Sequence, residues 1–152
     1  MISSEHKEKV LNFFHQHPFV TIGTCHDNIP HTATVFFVVN QDMEGFFVTR
    51  TDSKKFHDLK KNPHISLTSS DLKEQITLQI QGLAHEVLFS KEIEVGLLHL
   101  FENNESARKW SIPVFKIQNG ELSIFKVDFK KIRFGYFKLH QEKNSEYFEE
   151  IL

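Results

Sequence analysis

Short segments of β-type sequence, separated by turn residues, dominate this chain and most restrict the folds that it can adopt. The segments are rich in Val, Ile, Thr and Phe, and residues such as Gly, Pro, Asn and Asp separate many of them. They predict strands at residues 19–25, 31–40, 46–51, 64–68, 75–88, 114–118, 121–129 and 132–139. Six or seven antiparallel strands with a few small helices favour a β-barrel, so we predict a mostly β fold.

Local patterns also predict how the strands are connected. The first three strands follow one another with short breaks at Asp27-Asn28 and at residues 41–45, which indicates an antiparallel meander. Asn119-Gly120 is typical of a two-residue hairpin turn. In residues 75–88, apolar and polar side chains alternate up to Gly82, where we expect a β-bulge.

Three short helices are predicted between or before the strands. Ser3 or Ser4 can cap the first helix, which ends before Pro18. The second covers residues 53–61, and the third begins at Ser90. Each carries apolar residues at helical spacing, so each is expected to pack one face on the barrel.

Composition limits the class of protein. The chain has 152 residues without a repeat or a linker-like stretch, so we expect a single domain, residues 1–152. A net charge of −2 argues against nucleic acid or an anionic membrane as a partner bound by bulk charge. Cys25 is the only cysteine, and the polar start has no signal-peptide core, so we expect a cytoplasmic protein.

The junction between strand 46–51 and helix 53–61 is the most informative stretch for function. Free N–H groups at the helix start, nearby hydroxyls and the side chains of Arg50, Lys54 and Lys55 suit a phosphate group. No P-loop and no Gly-x-Gly-x-x-Gly pattern is present, which disfavours a nucleotide triphosphatase or a Rossmann domain. The alternative is a capped surface helix whose lysines face water.

The ten histidines do not form a metal-binding pattern. His15 and His17 lie two positions apart on the first helix and therefore on different sides of it. Cys25 and His26 alternate across a strand, which also excludes a Cys–His nucleophile pair. We predict no metal site, and the catalytic side chains stay unknown.

The order of several motifs resembles the pyridoxamine 5′-phosphate oxidase-like family, whose members are FMN-binding split barrels. The motifs are residues 29–37 (IPHTATVFF), the Phe47-Val48-Thr49 strand, Ser53-Lys54-Lys55, Asn62-Pro63 and Gln81-Gly82-x-Ala84. The resemblance implies a split β-barrel of Greek-key type that binds FMN at a homodimer interface. It further implies an FMN-dependent oxidoreductase that acts on a small molecule.

The resemblance also implies which residues contact the flavin. Lys55, with the Ser53 helix start, would hold the phosphate, and Thr49 would lie near the ribityl-phosphate. Thr34, Val35 and Phe36 would run beside the isoalloxazine ring. The partner subunit would contribute Thr77 and Trp110.

Two departures from the family pattern limit this expectation. Pyridoxamine phosphate oxidases carry an Arg and, five residues on, a Lys in the second strand, where this chain has Ala33 and Val38. Arg50 or Lys54 would have to compensate for these two missing cations. The chain also ends in Glu149-Glu150-Ile151-Leu152 instead of the substrate-binding tail, which speaks against pyridoxamine phosphate as the substrate.

Alternatives therefore stay open at this point. Haem or a deazaflavin are less favoured cofactors, and a cofactor-free or haem-binding dimer with a binding or regulatory role is the alternative function. Dimerisation has its own argument, because sixteen phenylalanines exceed what one small core readily hides. We expect rings such as Phe46 and Phe47 to meet across a two-fold axis.

Overall fold

The structure, a computed structural model, describes residues 2–88, 90, 99, 102–103, 121–138 and 147–152. The elements within this part of the chain are α1 (Ser4–Gln16), β1 (Phe19–His26), β2 (Ile29–Phe36), β3 (Val38–Val39), β4 (Glu44–Arg50), α2 (Lys54–Lys61), β5 (His64–Asp71), β6 (Ile76–Val87), β7 (Leu122–Tyr136) and β8 (Phe148–Glu150). Of the third predicted helix only Ser90, His99, Glu102 and Asn103 are described, and strand 114–118 and the Asn119-Gly120 turn lie outside the described residues.

The strands form one curled antiparallel sheet. Their order is β2-β1-β5-β6-β7-β4-β3, and β8 pairs with β7 beside this path. Phe37 alone separates β2, at one end of the path, from β3, at the other end. The chain therefore brings both ends of the sheet together without hydrogen-bonding β2 to β3. This is the predicted split barrel, and the predicted fold class is confirmed.

Local signals explain the first elements. Ser3 caps α1 by accepting a hydrogen bond from the His6 amide, and Val10, Phe13 and Phe14 are buried. Asp27 and Asn28 both have positive φ values, 50° and 59°, as a tight turn between antiparallel strands requires. The helix and the hairpin therefore follow from short stretches of sequence.

The predicted meander of the first three strands is present, but the second predicted strand, residues 31–40, is divided into β2 and β3. β2 pairs with β1, and β4 pairs with β3 and β7, but β2 and β4 form no ladder among the described residues. Phe37 interrupts the second predicted strand because its amide donates to the carbonyl of Pro18 and its ring is fully buried. The chain turns at this residue and crosses the open side of the barrel.

The last two predicted strands are one continuous strand, β7. A register shift between Gln81 and Gly82 marks the predicted β-bulge, which lies opposite Lys130. A Cβ atom at Gly82 would lie 2.7 Å from the carbonyl oxygen of Asp128, so only glycine allows this approach. The bulge lets β7 bend with the barrel instead of breaking into two strands.

The charged C-terminal tail contains a strand that the sequence pattern did not predict. In β8, Phe148 pairs with Gly135 and Glu150 with Arg133. Glu149 reaches α1 through Lys9, and its carboxylate accepts a hydrogen bond of 2.8 Å from the hydroxyl of Tyr136. Tertiary contacts, and not local propensity, therefore make this strand.

Most of the described phenylalanine rings are hidden within a single chain. Phe47 is fully buried and stacks on Phe125, with 5.5 Å between ring centroids. Phe46 is half-buried on the outer face, in a smaller apolar cluster with Val38 and Ile124. Phe47 is therefore not available to a partner subunit. Of the two rings expected at a dimer interface, only Phe46 is partly exposed. No described helix has the length and apolar character needed to cross a bilayer.

Candidate functional site

The start of α2 is built by the end of β4 and a capped turn. Ser53 caps the helix by accepting a hydrogen bond of 3.2 Å from the amide of Phe56. The Ser53 hydroxyl also lies 2.9 Å from the hydroxyl of Thr49, which is fully buried. This cap leaves the backbone N–H groups of Lys54 and Lys55 without an acceptor inside the helix. Two N–H donors and a positive helix end thus meet in one place.

Two of the three predicted phosphate-binding cations already have carboxylate partners. The guanidinium of Arg50 pairs with Asp52, with 2.7 Å between Nε and Oδ1. The ammonium of Lys54 lies 2.8 Å from Oδ1 of Asp58, one helical turn further on. Neither side chain is therefore a free cation for a ligand.

Lys55 differs from both neighbours in its electrostatic environment. Its side chain is half-buried, and its ammonium has no hydrogen-bond or ion-pair partner among the described residues. Burial lowers the pKa of Lys55 because no acidic group opposes the loss of hydration. An unpaired, partly buried cation is costly to the protein alone, and an anion at this position would remove that cost.

A buried carboxylate fixes α2 on the barrel. The side chain of Asp58 is 2% exposed and accepts a hydrogen bond of 2.9 Å from the Thr24 hydroxyl on β1. Burial alone would raise the pKa of Asp58, but hydrogen bonds from Lys54 and Thr24 and the nearby imidazole of His31 outweigh burial and lower it. Asp58 therefore stays ionised and binds Lys54 while α2 packs against β1, β2 and β4.

The open edge of β2 lies beside α2. Because Asp27-Asn28 closes the hairpin, ladder hydrogen bonds alternate along β2 and direct the backbone groups of Val35 toward β1. The backbone groups of Thr34 then point to the open edge, and its side chain is exposed on the outer face. Phe36 is buried in the outer apolar cluster.

The predicted partner-side residues do not meet Lys55 within the chain. Thr77 and Glu86 stand at opposite ends of β6, about 30 Å apart at the usual rise per strand residue. Glu86 contacts α2 through Lys60, so Thr77 is remote from this helix. The Thr77 hydroxyl is buried and has no hydrogen-bond partner in the structure. Trp110 lies outside the described residues.

The positions of the two missing family cations are apolar in the structure as well. Ala33 packs against the inner core, and Val38 is buried in the outer cluster. Lys55 is consequently the one unpaired cation of the three at the α2 start among the described residues.

The outer face of the sheet carries a groove that the sequence analysis missed. This outer groove has a volume of about 400 Å³, and Lys55 does not line it. Its lining residues are Thr21, Gly23, Thr32, Ser66, Leu67, Thr68, Gln79, Ile80, Gln81, Lys131 and Arg133. The alternation of Thr77, Gln79 and Gln81 in the sequence indicated a polar face of β6. It did not indicate that Lys131 and Arg133 of β7 lie beside them.

Comparison with known proteins decides the family. Residues 6–135 match the family model described as pyridoxamine 5′-phosphate oxidase. The chain belongs to this family. Among curated proteins, no sequence matches it.

Solved structures of the same fold share little sequence with this family member. The general stress protein 26 of Bacillus anthracis is 21% identical, with a TM-score of 0.61 over 84% of this chain and 92% of that chain. A NimC/NimA family protein from Clostridium acetobutylicum is 13% identical, with a TM-score of 0.66 over 97% and 92%. A FAD-binding protein from Mesorhizobium loti is 13% identical, with a TM-score of 0.63 over 88% and 94%. At these identities the likeness concerns the fold alone.

Proposed function

We propose that the protein is an FMN-binding flavoprotein, an oxidoreductase that acts on a small molecule. The unpaired, half-buried ammonium of Lys55 at the start of α2 is the observation that carries this proposal. A flavin phosphate would receive a charge-assisted hydrogen bond from Lys55 and further bonds from the first N–H groups of the helix. The family supports a flavin, although its match does not distinguish FMN from related cofactors.

The surrounding residues fit the remaining parts of the cofactor. The hydroxyls of Thr49 and Ser53 lie next to the proposed phosphate position. The Thr34 backbone at the open edge of β2 offers hydrogen bonds to the polar edge of the ring, whereas the side chains of Val35 and Phe36 are buried on opposite faces of this strand. FMN, when bound, supplies the hydride or electron transfer. The chain's own residues bind and orient it.

The proposal includes a homodimer with the flavin at the interface. Thr77 and Trp110 of one subunit would then serve the flavin of the other, since Thr77 is remote from Lys55 within one chain. Sedimentation at micromolar concentration is expected to give about twice the monomer mass of 17.9 kDa. A monomer would remove the partner-side assignments but not the Lys55 site.

A titration of the purified protein tests flavin binding directly. Wild-type protein is expected to carry flavin absorbance or to take up FMN, with quenching or a shift of the flavin fluorescence. Lys55→Gln is expected to weaken FMN binding by about tenfold to a hundredfold, as the loss of a charge-assisted hydrogen bond predicts. Lys61→Gln removes the same charge from an exposed position of the same helix and is the matched control.

Two outcomes of this titration would contradict the proposal. If the wild type binds no FMN, and neither haem nor a deazaflavin, the cofactor function is wrong. If Lys61→Gln weakens FMN binding as much as Lys55→Gln, the effect is one of net charge and the site is not at Lys55. Tight binding of FAD with weak binding of FMN would correct the cofactor but keep the site.

A cofactor-free dimer with a binding role is the second candidate. The apolar residues Ala33 and Val38, where family members carry cations, favour it because a weaker charge at the phosphate lowers flavin affinity. A stable dimer that takes up no flavin would support this candidate over the first.

A further inference from the structure

We propose that Asp52 limits the α2 start to ligands that end in a single phosphate group, because it holds the guanidinium of Arg50 away from the ligand. Asp52 is then a specificity-determining residue that favours FMN over a flavin with a diphosphate, such as FAD. The inference rests on the proposed flavin site at Lys55 and concerns the selectivity of that site.

A tight turn places Asp52 directly before the cap of α2. The amide of Ser53 donates a hydrogen bond of 3.2 Å to the carbonyl of Arg50, which closes a turn between β4 and the helix. The amide of Thr51 donates to the carbonyl of Glu121 at 3.0 Å, which ties the turn to the chain just before β7. Two backbone hydrogen bonds therefore hold Arg50 and Asp52 at the N-terminal end of α2.

The ion pair between Arg50 and Asp52 uses both oxygens of the carboxylate. Nε of Arg50 donates to Oδ1 of Asp52 at 2.7 Å, and Nη2 donates to Oδ2. Two parallel hydrogen bonds of this kind are the strongest arrangement of a guanidinium and a carboxylate. The hydrogen bonds from Arg50 lower the pKa of Asp52, which keeps this carboxylate charged at neutral pH. Arg50 is therefore oriented toward Asp52 and neutralised by it.

The pair is exposed, in contrast to the pair of Lys54 with Asp58. The side chain of Asp52 is 63% exposed, whereas that of Asp58 is 2% exposed. Exposed ion pairs contribute little to the stability of a fold. Stability therefore does not explain the Arg50–Asp52 pair well, and its place beside the ligand-binding end of α2 points to a role in selectivity.

A phosphate monoester needs only the free groups of the α2 start. Its oxygens accept hydrogen bonds from the first N–H groups of the helix and from the ammonium of Lys55. A diphosphate brings a second charged group, for which no free cation is left, because Arg50 and Lys54 already bind carboxylates. The carboxylate of Asp52, just before the cap, also repels this second group. The Arg50–Asp52 pair thus disfavours the diphosphate.

Removal of the carboxylate should turn Arg50 into a second free cation. In Asp52→Asn the guanidinium loses its charged partner and is free to rotate toward the ligand. It then offers a planar fork of N–H groups that fits two phosphate oxygens. Because the pair is exposed, this substitution should leave the fold intact, and a change in binding can be assigned to the site.

Calorimetric titration with FMN and with FAD tests the proposal through the ratio of the two dissociation constants. The wild type is expected to bind FMN about tenfold more tightly than FAD, as one charge-assisted hydrogen bond predicts. Asp52→Asn should reduce this ratio by about threefold to tenfold, mainly through tighter binding of FAD. The double variant Asp52→Asn/Arg50→Gln has neither charge, so its ratio should return to within about twofold of the wild type.

Asp42→Asn is the matched control for Asp52→Asn. It removes the same charge from an exposed residue at the opposite end of β4, about 20 Å away at the usual rise per strand residue. The ratio of the two dissociation constants should stay within about twofold of the wild type in this variant.

The outcomes separate this inference from the proposed function. A wild type that prefers FAD, an unchanged ratio in Asp52→Asn or an equal change in Asp42→Asn overturns the inference and leaves the flavin site at Lys55 in place. A gain in FAD affinity that persists in the double variant also overturns it, because Asp52 then acts by repulsion alone and not through Arg50. If the wild type binds neither flavin, the proposed function is wrong and this inference falls with it.

Discussion

The ammonium groups of Lys54 and Lys55, neighbours at the start of α2, have opposite electrostatic environments. Nζ of Lys54 lies 2.8 Å from the buried carboxylate of Asp58, whereas Lys55 has no partner among the described residues. The helix geometry explains the difference, because position 58 lies one turn from position 54 on the same side of the helix. Lys54 therefore stabilises the fold, whereas Lys55 is available to bind a ligand.

Removing these two charges should have different effects on stability. Lys54→Gln takes a donor from the buried Asp58 and is expected to lower the free energy of unfolding by about 1 kcal/mol. Lys55→Gln removes a cation that burial disfavours, so stability should stay equal or increase. Urea unfolding of both variants without flavin measures these two changes in the free energy of unfolding. A large loss of stability in Lys55→Gln would mean that Lys55 has a structural partner.

The affinity for FMN should fall at alkaline pH. The phosphate needs the charged form of Lys55, and burial lowers the pKa of this group below the usual 10.5. Affinity is therefore expected to decline as the pH rises toward and through that lowered pKa. Lys55→Arg keeps its charge over this range and should show a flatter profile. Fluorescence titration across alkaline pH makes the comparison, and identical profiles would contradict the assignment of Lys55.

Acid should weaken the attachment of α2 through Asp58. Its folded-state pKa is lower than the usual 3.8, so the stabilising contribution is present above that value and is lost as the pH falls through the folded pKa. Asp58→Asn should be less stable at neutral pH and should lose less stability on acidification than the wild type. Thermal unfolding between neutral and acidic pH measures how stability changes with pH in both proteins. An equal change in both would mean that other carboxylates determine the acid sensitivity.

Short-range sequence signals predicted the elements but not all of their partners. The cap at Ser3, predicted as Ser3 or Ser4, the Asp27-Asn28 turn and the Gly82 bulge depend on neighbouring residues, and each was predicted. The interruption between β2 and β3 depends on the burial of Phe37 and on its hydrogen bond to Pro18, which no local signal indicates. Strand β8 depends on contacts with α1 and β7, which no local pattern of its charged sequence indicates.

The residues alone predicted the candidate site as a region, and the family resemblance assigned the phosphate to Lys55. The sequence placed Arg50, Lys54 and Lys55 together, but three neighbouring cations look alike until their partners are known. Only the structure pairs two of them, since Asp58 becomes a partner when it is buried under Thr24. The cations of the outer groove were missed because a strand break was predicted between residues 129 and 132, which concealed the shift in register.

Gly82→Ala should destabilise the fold. The new Cβ would lie 2.7 Å from the backbone oxygen of Asp128, which cannot move aside as a flexible side chain can. Overpacking of this kind is expected to cost about 1–3 kcal/mol in the free energy of unfolding. Gln81→Ala, at the exposed position beside it, should stay within about 0.5 kcal/mol of the wild type. Urea unfolding of both variants measures the difference in stability. Unchanged stability would mean that the bulge does not need a glycine.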